Sequence, residues 1–68
     1  MRRDADALAR ELLTSAQEAL NAAAGDLTLA LCALDGAGAV DALILVRAVE
    51  CEAEAVAVAI HRLEGRMS

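Results

Sequence analysis

Phenylalanine, tyrosine, tryptophan, proline and lysine are all missing from this 68-residue chain. Without aromatic rings a core has to be assembled from aliphatic side chains, each burying less area than a ring does. Without proline no position forbids a helix from running on. The lack of lysine leaves six arginines against eleven acidic residues, a net charge of -5. Those arginines, Arg2, Arg3, Arg10, Arg47, Arg62 and Arg66, are scattered along the chain. Binding to a phosphate backbone needs a basic stripe, so nucleic acid is excluded as a partner. Long uncharged runs are missing too, because the most apolar stretch, Ala39 to Ile60, contains Asp41, Arg47, Glu50, Glu52 and Glu54. A bilayer core accepts few such charges, and the chain is expected to be soluble with no membrane role. Met1-Arg2-Arg3-Asp4 leads into charged helical sequence with no apolar signal region. The expected location is therefore the cytoplasm, with the thiols of Cys32 and Cys51 reduced.

What the chain does contain is small aliphatic residues: Ala, Val, Ile, Leu, Met and Cys make up 59% of it. At this length they support one domain over residues 1–68, which leaves roughly 40% of the unfolded chain's surface exposed after folding. Ordering each residue costs about 1.5 kcal/mol, so a thin core of this kind calls for a partner.

The clearest signal is helical periodicity. Leu13, Leu20, Leu27 and Leu34 repeat every seven residues, and Ala9, Ala16, Ala23 and Ala30 form a parallel series. Residues seven apart share one face of an α-helix, and a Leu/Ala seam allows a second helix to approach closely. This predicts one helix over about 4–34. A competing reading ends it at Gly25, with Asp26 capping a new helix or Leu27, Leu29 and Leu31 alternating as a strand. The Leu seam runs unbroken past Gly25, which falls on the solvent side with Glu11, Glu18 and Cys32, and this favours the continuous helix. Asp35-Gly36-Ala37-Gly38 is the reversal signal, with a second helix over about 39–65, Asp41 in its first turn and Arg62 and Arg66 near its last. The expected fold is all-α, an antiparallel, coiled-coil-like αα-hairpin.

The second helix carries more apolar surface than a hairpin can cover. One stripe, Ala42, Val46, Val49, Ala53, Val56, Ile60 and Leu63, suits the seam of the first helix. A second stripe on the adjacent flank, Ile44, Ala48, Cys51, Ala55 and Val58, has the same step pattern and no target within the chain. Left bare, it forms a patch of several hundred Å², the size that marks a binding surface. Burying about 500 Å² of it offers on the order of 10 kcal/mol before association costs.

Chemistry-bearing residues are few. His61-Arg62-Leu63-Glu64-Gly65 superficially resembles the His-x-Leu-Lys-Gly string of histidine phosphotransfer domains, but Glu64 replaces the lysine and its charge would repel a phosphoryl group. The better reading of His61 is a solvent-facing side chain on the polar strip with Arg47, Glu50, Glu54 and Glu64. Glu50 and Glu54 have metal-ligand spacing, yet no Glu-x-x-His pair accompanies them and the facing seam offers only Leu and Ala. No cysteine-based zinc site is recognisable either. Cys32 and Cys51 are separated by roughly nine residues in the antiparallel register, about 13 Å, beyond the reach of a disulfide. Ser15, Thr14 and Thr28 have no base at hand, so no enzyme activity, metal or cofactor is expected.

Gly36-Ala37-Gly38 near the middle and the small-aliphatic run Glu54-Ala55-Val56-Ala57-Val58-Ala59-Ile60-His61 late in the second helix give the chain a recognisable layout. It resembles the YscE-like helical-hairpin chaperones of type III secretion systems, and differs from them in a first helix richer in Leu and Ala. The resemblance implies a cytosolic complex in which the hairpin docks on a tetratricopeptide-like co-chaperone and helps keep the needle subunit unpolymerised. Read from the residues alone, the protein is a small acidic protein-interaction module whose second stripe lies in a groove of its partner. The alternative from the same residues is a self-associating structural protein, a homodimeric four-helix bundle.

Overall fold

The computed structural model describes the backbone of residues 2–67 and the side chains of 4–66. Two α-helices of equal length, α1 (Arg2–Ala33) and α2 (Gly36–Met67), lie against each other along a rod of 52 × 14 × 13 Å. This is the all-α hairpin that the heptads imply. α1 is continuous through Gly25, which is exposed and has open space around it. With no proline on either helix, a single exposed glycine, costing about 1 kcal/mol, is outweighed by a helix of this length packed along one face.

The reversal is tighter than the glycines suggest, and both helices begin and end earlier or later than expected. Between the helices lie only Leu34 and Asp35. The Leu34 N–H still donates to the Ala30 carbonyl at 3.0 Å, closing α1, and the Asp35 carbonyl accepts from Ala39 N–H at 3.4 Å, opening α2. Gly36 supplies the left-handed step, with φ of 60°. Gly36 and Gly38 therefore belong to the first turn of α2 rather than preceding it, which places Asp41 beyond that turn. Gly38 lies under Leu34, whose side chain would stand 3.5 Å from a Cβ there. Asp4 and Arg66 complement the dipoles at the start of α1 and the end of α2.

The seam is read off burial. On α2 it is the anticipated stripe: Ala42 and Val46 are the buried residues, 5% and 8% exposed, while Val49, Ala53, Val56, Ile60 and Leu63 are half-buried. On α1, Leu13, Leu20 and Leu27 are half-buried, as are Ala9, Ala23 and Ala30. Two expected seam residues drop out. Leu34 lies beyond the end of α1 and is 48% exposed, and Ala16 is exposed as well. Contact extends instead to Gln17, Ala24 and Leu31, all half-buried.

Two ion pairs clasp the open end of the hairpin. Arg10 reaches Glu64 at 3.0 Å, and Arg66 reaches Asp6 at 3.2 Å. Exposed pairs of this kind contribute about 0–1 kcal/mol each and serve register more than stability. The core itself is slight, and the accessible surface of 5048 Å² exceeds the roughly 4,000 Å² expected of a compact 7.0 kDa protein.

Candidate interaction surface

The helix that supplies the only buried residues among those described also carries an uncovered apolar stripe. At about 100° per residue, the seam of α2 and the stripe Ile44, Ala48, Cys51, Ala55, Val58 lie on nearly opposite sides of the helix. The stripe thus forms the outer face of the hairpin, not a flank adjoining the seam. All of its members are exposed, Ile44 at 59% and Val58 at 49%. Ala48, Cys51 and Ala55 give its middle a low profile, and a shallow surface groove there is lined by Arg47, Glu50, Cys51 and Glu54. The outer face is therefore an apolar strip with bulky ends, a flat centre and a charged border.

Further apolar residues are bare where sequence periodicity gave no warning. Leu8 and Leu12 stand out on α1, while Leu29, Val40, Leu43 and Leu45 surround the turn end with Leu34. The available signal was the four-residue spacing of Leu8 and Leu12 and the unbroken run Leu43-Ile44-Leu45, which cannot all face one neighbour. The heptad seam through Leu13 drew attention away from both.

The polar flank between the helices is different in character. Gln17 and Asn21 of α1 line a second shallow groove with Glu50, Ala53, Glu54 and Ala57 of α2. His61 is exposed, and Glu64 beside it is engaged by Arg10. The hydroxyls of Thr14 and Thr28 donate to the carbonyls of Arg10 and Ala24, each at 2.8 Å, within their own helix. Cys32 and Cys51 are free and exposed. Among the described residues no group of three His, Cys, Asp or Glu side chains is placed to hold a metal ion, and no helix is long and apolar enough to cross a membrane. Chemically, the surface offers apolar contact bordered by charge.

No family model, curated protein or solved structure matches this chain.

Proposed function

We propose that this chain is a small acidic protein-interaction module that acts by burying the outer face of α2 against a helix of another protein molecule, without catalysis or a cofactor. One observation carries this reading: Ile44, Ala48, Cys51, Ala55 and Val58 continue at helical spacing on a face that α1 does not cover. A helix that has already used its other side for the hairpin seam has no internal use for this one. Its length and period suit the helix-in-groove mode of recognition.

The resemblance in layout to YscE-like chaperones supports a finer version of the same reading. In it, the hairpin works in the cytoplasm, docks on a tetratricopeptide-like co-chaperone and helps hold a type III secretion needle subunit unpolymerised. The test is affinity purification of the tagged protein at native level, beside an Ala48→Glu/Ala55→Glu variant. Recovery of a co-chaperone and needle-type subunit in a 1:1:1 complex, abolished in the variant, is the expected result. Equal recovery with both proteins would remove the α2 outer face from the interface.

A further inference from the structure

We infer that the outer face of α2 is covered, in the free protein, by α2 of a second copy of this chain, packed antiparallel about a twofold axis beside Cys51. This rests on the reading of that face as an interface and names its occupant. The argument begins with residue order. α2 runs Gly36–Met67, and Cys51 stands at its middle. When a second α2 is turned end for end about that point, Ile44 falls beside Val58 of the copy, Ala48 beside Ala55, and Cys51 beside Cys51, each within one residue. The bulky members thus meet each other near the ends of the contact, and the alanines flank its centre, where small side chains let the helix axes approach closely.

One charged border obeys the same reversal. Arg47 and Glu54 are exposed on the edge of the groove that contains Cys51. Turned end for end, Arg47 falls beside Glu54 of the copy, and Glu54 beside Arg47. The other border carries Glu52, exposed, which the same reversal sets near its own copy. A face shaped for an unrelated protein has no reason to agree with its own reversal in bulk and along the Arg47/Glu54 border, whereas an isologous contact favours it.

Cys51 provides the test. In a Cys32→Ser protein at tens of micromolar, a short bismaleimide should join two chains through Cys51, giving a species of twice the 7.0 kDa mass. A Cys51→Ser protein, which keeps Cys32 far from the axis, should not be joined. Arg47→Glu should weaken the dimer about tenfold by setting like charges together, and adding Glu54→Arg should restore it. A monomeric mass at every concentration, without Cys51 cross-links, would overturn the second copy as occupant. So would a dimer joined only through Cys32. If such a monomer still loses a co-chaperone on Ala48→Glu/Ala55→Glu substitution, the face remains an interface and only its occupant is wrong. If it does not, the reading of the face fails as well.

Discussion

Gly25 and Gly36 show how one residue type does opposite things in this chain. Gly25 sits in the middle of α1 with nothing near the position of a Cβ. Gly25→Ala should stabilise the hairpin by about 1 kcal/mol, a rise in melting temperature of about 4–8 °C by calorimetry. Gly36, at φ of 60°, has equally open space but a backbone conformation that strains any side chain. Gly36→Ala should lower stability by about 1 kcal/mol, so the two substitutions move the melting temperature in opposite directions. Sequence reading placed both glycines correctly, one on a solvent face and one at the reversal. It could not tell that the turn would need only Leu34 and Asp35, because backbone dihedral angles are not written in a Gly-Ala-Gly string. Glu52 is informative for another reason. In the antiparallel dimer it falls close to its own copy at one border of the contact. Glu52→Gln should therefore tighten association about threefold in sedimentation experiments, and a weaker dimer would contradict the register.

At the scale of the element, the two helices were unequally legible. On α2 the steps of four and three fall on Ala42, Val46, Val49, Ala53, Val56, Ile60 and Leu63, all buried or half-buried, and Ala57 and Ala59 are half-buried besides. The heptad on α1 was a poorer guide at its margins. Ala16 is exposed and Leu34 lies past the end of α1, while Gln17 and Leu31 are half-buried. The heptad also hid Leu8 and Leu12, which lie off the repeat. Packing energy should follow burial rather than hydrophobicity. Val46→Ala, at a position only 8% exposed, is expected to cost about 2 kcal/mol in denaturant unfolding, whereas Leu29→Ala should stay within about 0.5 kcal/mol. A larger loss at Leu29 would mean that the turn end is covered in solution.

The whole molecule is a rod that folds with little interior. Only Ala42 and Val46 are buried among the described residues, both on α2, and the closing ion pairs lie at the surface. The proposed dimer would add to this slight interior by covering the outer face of α2. The hairpin fold and the existence of a spare stripe were readable from periodicity alone. That the stripe lies opposite the seam followed only when the seam was fixed, and the identity of its occupant depends on how the residues pair in space. A second copy laid on the outer face of α2 would complete this core. Linked association makes thermal stability depend on protein concentration. The most direct measurement is therefore the melting temperature of the wild-type protein and of Ala48→Glu/Ala55→Glu, followed by circular dichroism across a hundredfold range of concentration. With the dimer, the midpoint climbs steadily with concentration in the wild type and is lower and concentration-independent in the variant. A wild-type midpoint that does not move with concentration would contradict it.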